Sequence, residues 1–225
     1  MALSHSPSSV SSSLIYNIDP LNFRCYTGSG ITVNGLTSFG SGTLINGVGF
    51  TSTNGGCFTF DGTNDYIDFG SSFLTNQSYS LEFVFKTTTT NVSVMAGKWT
   101  GAGTDWWAGV YNDSKFRFSC NVIPSSKIDI ISTMNVNDDV IRNIVATCDA
   151  NTFITRIYVN GVLNATGNGT TSPIDPGGIF TFSKFGSSGS FHLAGTLYNF
   201  KVYNRALSAA EIKQNFEATR DRYGI

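Results

Sequence analysis

Charge is scarce in this chain. Charged residues make up 13% of its 225 residues, about half the share of an ordinary soluble domain. The 14 Lys and Arg nearly cancel the 15 Asp and Glu, leaving a net charge of −1. A protein that displaces counterions from phosphate needs a basic field, so nucleic acid is excluded as a partner. Histidine is scarcer still, with only His5 and His192. A Ser-His-Asp triad or a multi-histidine metal centre therefore lacks raw material. No stretch approaches the roughly 18 consecutive apolar residues that mark a membrane helix. Four cysteines, Cys25, Cys57, Cys120 and Cys148, lie far apart with no CxxC pair, which argues against a metal knot. Three of them sit in strand-like runs, where a free thiol behaves as a small buried hydrophobe. Unlinked thiols fit synthesis in a reducing cytoplasm.

Uncharged polar residues take the place of charge: 27 Ser, 25 Thr and 20 Asn. The start, residues 1–13, reads MALSHSPSSVSSS. It has neither a basic run nor an apolar core, so no secretory leader is expected, and its Ser/Pro character predicts a flexible arm. Five N-x-S/T sequons, beginning with Asn76, are what this much Asn, Ser and Thr gives by chance, and carry no weight.

From Leu14 onward the rhythm is period two. Leu81, Phe83 and Phe85 alternate with Ser80, Glu82 and Val84, Phe116 and Phe118 with Arg117, and Phe180 with Thr181. Each run predicts a strand with one face on a core. The breaks are rich in Gly and Asn. The sharpest, Asn160-Gly161, supplies the two positive-φ residues of a type I′ turn and predicts a two-residue hairpin. Strands recurring every 10–15 residues without helical intervals predict an all-β fold, a two-sheet antiparallel jelly-roll sandwich over residues 14–207. Most of the 18 Phe are assigned to its core. One helix is expected, over 208–225. Ser208-Ala-Ala-Glu211 forms a capping box, and Ile212 and Phe216 give a stripe expected to pack on the sandwich edge.

Several blocks together resemble the laminin-G-like branch of the concanavalin A-like lectin/glucanase superfamily. They are Phe60-Asp-Gly-Thr-Asn-Asp-Tyr-Ile-Asp68, Ser80-Leu-Glu-Phe-Val-Phe-Lys-Thr87, Gly97-Lys-Trp99, Ile144-Val-Ala-Thr147 leading into Ile157-Tyr-Val-Asn-Gly161, and the block from Gly195 to Ser208. Their order and spacing over Phe58 to Phe216 carry the likeness, which implies a jelly roll of two curved antiparallel sheets. The two ends, Leu14-Ile-Tyr-Asn-Ile-Asp-Pro20 and Tyr203 to Phe216 with Arg222-Tyr-Gly-Ile225, are similar to such domains in virion proteins of tailed bacteriophages. That likeness implies a structural or adhesive part of a particle, a capsid decoration or fibre component. Such a protein would be made in the host cytoplasm, located in the virion, oligomeric there, and partnered by other virion proteins. The chain departs from the family where relatives carry an acidic pair that helps hold calcium. It has Tyr198-Asn199 there, which disfavours calcium, and no cofactor is expected. Where relatives carry Trp-His-His, it has Ile141-Arg142-Asn143.

No catalytic residues are assigned. A retaining glycosidase needs two carboxyls about 5–5.5 Å apart. Here no E-x-D-x-E exists, and Glu82 is expected to face outward with no acidic neighbour at 80 or 84. A cross-strand aspartate pair is left open. Asp61, Asn64, Asp65 and Asp68 offer oxygen ligands, but they equally shape a turn through side-chain-to-backbone bonds. The most suggestive surface feature is Lys98 to Trp107, a Gly-rich segment holding all three tryptophans. Trp99, Asp105, Trp106, Trp107, Tyr111 and Asn112 are the candidates for binding a carbohydrate or a partner protein. Aromatic rings stack on the C–H faces of sugars, and Asp and Asn meet their hydroxyls. Core packing is the competing reading. Adjacent residues on a strand point opposite ways, so one of Trp106 and Trp107 must face outward. Two functions follow: a virion structural protein, or a carbohydrate-binding module acting as a receptor-binding head on cell-surface glycans.

Overall fold

The structure, a computed structural model, describes residues 7–225 apart from 38, 40, 54, 72–76, 99–105, 123–125, 170–177 and 187–189. Its strands, in chain order, begin with β1 (Leu14–Ile18), β2 (Thr32–Val33), β3 (Gly42–Ile45), β4 (Gly49–Thr51), β5 (Cys57–Asp61) and β6 (Tyr66–Ser71). There follow β7 (Tyr79–Thr87), β8 (Ser93–Lys98), β9 (Trp106–Val110), β10 (Lys115–Val122) and β11 (Ser126–Asn135). The last are β12 (Arg142–Cys148), β13 (Ile154–Val159), β14 (Val162–Asn168), β15 (Ile179–Phe182) and β16 (Ala194–Tyr203), before the one helix among the described residues, α1 (Ala209–Tyr223).

They form two eight-stranded antiparallel sheets, as the alternation predicts. The first runs β14-β13-β12-β7-β16-β5-β4, with β1 paired to the far half of β16. The second runs β11-β10-β9-β8-β15-β6-β3-β2. Each sheet turns its aromatic phase inward. Phe83 and Phe200 of the first sheet stack at 5.1 Å, and Phe200 meets Phe180 of the second at 6.0 Å. Phe83 also meets Phe116 across the sandwich at 5.8 Å. The β13–β14 hairpin turns at Asn160 and Gly161, with φ of 48° and 76°, as the Asn-Gly pair predicts. All four cysteines are buried and unpaired.

Helix α1 starts at the expected capping box. The Glu211 N–H donates to Ser208 Oγ at 3.3 Å, and the Ser208 N–H donates to Glu211 Oε2 at 2.9 Å. Its place differs from the sequence reading. It lies across the outer face of the first sheet, not on an edge. The cause is that this outer face is itself apolar: Val145, Tyr158 and Tyr203 cluster with Ile212, and Val84 and Tyr198 with Tyr223. Strands apolar in both phases need a cover on each side.

Glu82 does point away from the core, but it is fully buried beneath the helix and not in solvent. Its Oε1 accepts from Asn143 Nδ2 at 2.9 Å and Lys201 Nζ at 3.2 Å, and its Oε2 from Asn215 Nδ2 at 2.8 Å. A carboxylate so placed has every oxygen bonded to a donor, as burial of charge requires. The described part of the N-terminal segment, expected as a flexible arm, lies against the same helix. The Val10 N–H donates to Asn215 Oδ1 at 2.8 Å, Tyr203 Oη donates to the Val10 carbonyl at 3.1 Å, and Gln214 Nε2 donates to the Ser8 carbonyl at 2.7 Å. At the other end of the helix, Arg222 grips Asp19 through two bonds of 2.7 and 2.6 Å. One face of the sandwich is thus closed by the two chain ends. Among the described residues, the outer face of the second sheet carries no helix.

Candidate functional site

Strand β9 sends its two tryptophans opposite ways. Trp106 is buried, stacked on Phe180 at 5.9 Å. Trp107 faces out of the second sheet. Its cross-strand neighbour on β8 is Gly97, where even a Cβ would come within 3.1 Å of the Trp107 Cβ, so the ring occupies space a side chain would take. Tyr111, just past the strand, lies beside Trp107 with ring centroids 6.0 Å apart. The Arg117 guanidinium sits over the same Tyr111 ring, 4.5 Å from its centroid. Arg117 is itself fixed, donating through Nε and Nη2 to the two oxygens of Asp129 at 2.6 and 2.5 Å. The aromatic pair is therefore held in place before any ligand arrives.

Phe185 and Phe191, from the segment between β15 and β16, close the far wall of a trough of about 220 Å³ that Val92, Val94, Trp107 and Tyr111 complete. The Val94 N–H donates to the Phe191 carbonyl at 2.8 Å and pins that segment beside β8. Phe191 has φ 68°, is 44% exposed, and stands as a ridge. Beyond it lies a second, polar groove of about 670 Å³, lined by Asp61, Thr63, Thr89, Asn91, Ser190 and His192 among others. Val92 and Phe191 line both. Three loops build the polar groove and are tied to one another. Ser93 Oγ donates to the His192 carbonyl at 3.2 Å, Thr87 Oγ1 to the Ala194 carbonyl at 2.5 Å, and His192 Nδ1 lies 3.3 Å from the Asp65 carbonyl.

Of the six candidate residues, Trp107 and Tyr111 meet in the trough, Trp106 is core, and Asn112 is exposed in the following turn. Trp99 and Asp105 lie outside the described residues. Phe185, Phe191 and the polar loops were missed. The available signal was two Phe in a Gly/Ser-rich stretch with no alternation, where a core role has no strand to support it. The acidic block shapes its turn. Asp61 Oδ1 accepts from the Thr63 N–H at 2.7 Å, Asp65 Oδ2 from the Asp61 N–H at 3.2 Å, and Asp68 Oδ1 from the Gly70 N–H at 2.8 Å. The backbone N–H groups of Thr63 and Asn64 hold the Asp61 carboxyl below the usual range. Tyr198 and Asn199, standing where relatives carry an acidic pair, lie elsewhere. Tyr198 packs on Tyr223 under the helix, and Asn199 Nδ2 donates to the Ile18 carbonyl at 3.0 Å. Each glutamate has a cationic partner away from the trough: Glu82 with Lys201, Glu211 with Arg205, Glu217 with Arg220.

Two antiparallel sheets packed face to face, with the helix on one outer face and an aromatic trough on the other, define a jelly-roll class of domain. The Laminin_G_3 family model matches residues 61–213, and the chain belongs to the concanavalin A-like lectin/glucanases superfamily. No curated protein sequence matches it. Among solved structures it is similar to domain 4 of AbnA, a GH43 extracellular arabinanase from Geobacillus stearothermophilus, in complex with arabinotriose. Identity is 14% and the TM-score 0.71, over 91% of this chain and 98% of that one. It is similar also to the binding domain of botulinum neurotoxin DC in complex with SialylT, at 12% identity and TM-score 0.71, over 92% of this chain and 51% of that one. The binding domain of Paraclostridial Mosquitocidal Protein 1 resembles it at 14% identity and TM-score 0.66, over 91% of this chain and 52% of that one. The chain spans about half the length of the two toxin binding domains. At these identities the likeness is one of fold.

Proposed function

We propose that this protein is a non-enzymatic carbohydrate-binding domain whose ligand stacks in the trough of Trp107 and Tyr111. The observation that carries the reading is Trp107 itself, turned out of the sheet, braced by the Tyr111–Arg117–Asp129 chain and continuous with a groove of hydroxyl, amide and carboxylate groups. Such a surface offers both an apolar face for sugar C–H groups and partners for hydroxyls. The neighbouring folds support it: an arabinanase domain holding arabinotriose, and a neurotoxin whose cell entry depends on two ganglioside molecules. The non-enzymatic part rests on the carboxylates. Among the described residues Asp61 is the one carboxylate lining the grooves, and the glutamates are tied up elsewhere.

The test is a glycan array probed with the wild-type chain and with Trp107→Ala. Specific binding lost in a folded Trp107→Ala variant supports the reading. Absence of binding across the array, or release of product from a bound polysaccharide, overturns it.

A finer reading places this domain on a tailed-phage particle as a receptor-binding head, made in the host cytoplasm and oligomeric in the particle with other virion proteins. It draws on the likeness of the two chain ends, which pack together through β1 on β16 and Arg222 on Asp19. That junction leaves the trough on the opposite face open to a cell surface. Immunogold labelling of intact particles tests it. Label at the tail or capsid supports the reading, and particles without label contradict it.

A further inference from the structure

Two features of the site limit what kind of sugar it takes. The first is its division. The apolar trough of about 220 Å³ and the polar groove of about 670 Å³ share Phe191 and Val92 but present different chemistry. Trp107 and Tyr111 line only the trough, and Asp61, Thr89 and Asn91 only the polar groove. A unit stacked on Trp107 therefore leaves Asp61, Thr89 and Asn91 to a second unit beyond Phe191.

The second is charge. Among the described residues, neither groove is lined by a lysine or an arginine. Arg117 is committed to Asp129 and the Tyr111 face, and Lys184 to the Tyr66 face 4.2 Å from its Nζ. Asp61, the one carboxylate lining the site among the described residues, is held in its ionised form by backbone N–H groups. A sialylated, uronic or sulfated unit entering the polar groove would face that negative charge and find no counter-ion, a desolvation cost without recompense. Neutral hydroxyls suit it, since a carboxylate accepts strongly from O–H donors.

We infer that the ligand is a neutral oligosaccharide of at least two units that straddles Phe191, one unit stacked on Trp107 and Tyr111 and the next hydrogen-bonded between Asp61 and Asn91. This rests on the carbohydrate-binding reading and narrows it.

The test uses the full chain against a printed array of neutral and sialylated glycans of one to six units, followed by titration calorimetry on the strongest binder and on its single-sugar fragments. Neutral glycans of two or more units should dominate, with single sugars weaker by about tenfold or more. Asn91→Ala should weaken the oligosaccharide by a similar factor while leaving the stacking single sugar unchanged. Trp107→Ala should weaken both. Thermal melts of the variants verify that they fold. The inference is overturned if a single sugar binds as tightly as the oligosaccharide, if sialylated glycans dominate, or if Asn91→Ala leaves oligosaccharide affinity intact. A blank array removes the carbohydrate reading itself, a result distinct from each of these.

Discussion

Trp106 and Trp107 are neighbours in sequence and lie on opposite sides of one sheet: Trp106 stacks on Phe180 inside the sandwich, and Trp107 pairs with Tyr111 outside it. Their truncations should therefore have opposite signatures. Trp106→Ala opens a core cavity and should cost about 3–5 kcal/mol in urea unfolding. Trp107→Ala should stay within about 1 kcal/mol of wild type, since its ring packs mainly on a surface trough, yet it should lose glycan binding.

How far this arrangement was legible in the sequence differs from element to element. The alternation around Phe83 and Phe116 and the Asn160-Gly161 pair give sheets and hairpin directly, because period two and turn chemistry are local. The capping box gives the helix start for the same reason. The helix position is not local. It follows from Val84, Val145, Tyr158 and Tyr198 being apolar in the outward phase, a signal present in the sequence that a one-face reading of each strand passes over. Glu82 does face outward, as expected, but an outward residue is exposed only where nothing covers that face, and here the helix does. In the site, strand alternation shows that one of Trp106 and Trp107 faces out but does not say which. Phe185, Phe191 and the polar loops come together only through tertiary contacts across residues 61–194.

Glu82 and Lys201 form an ion pair at 3.2 Å with side chains 0% and 5% exposed. Breaking one half strands the other. Lys201→Met should destabilise by about 3–5 kcal/mol, and the double variant Glu82→Gln/Lys201→Met should recover much of that loss. Denaturant midpoints of the single and double variants give the comparison, and strict additivity would contradict the buried-pair account.

Gly161 has φ 76°, and a Cβ there would lie 3.2 Å from the Phe216 side chain. Gly161→Ala thus strains the hairpin and presses on the helix together. A loss of about 1–2 kcal/mol is expected. In a Phe216→Ala background the loss should shrink only in part, because the ring contact at 3.2 Å goes while the Cβ contact, also 3.2 Å, stays.

Glu211 is held down to about 2 from 4.5, first by the hydrogen bonds from Arg205 and then by the Ser208 contacts. A depressed carboxylate stabilises the fold above its unfolded value and stops doing so as pH falls through the folded one. Wild-type melting temperature should therefore fall between about pH 4.5 and 2. Glu211→Gln should lower the neutral-pH melting point and flatten that acid limb, and thermal melts across the range read both.

The most direct measurement is a titration of isotope-labelled protein with the strongest glycan from the array, followed by two-dimensional NMR of the tryptophan indole N–H signals and the backbone. The account calls for a shift of the Trp107 indole together with the amides of Phe191 and Asn91, while the Trp106 indole and the amides of helix α1 stay still. Shifts confined to the helix-covered face, or binding that leaves Trp107 unmoved, would contradict it.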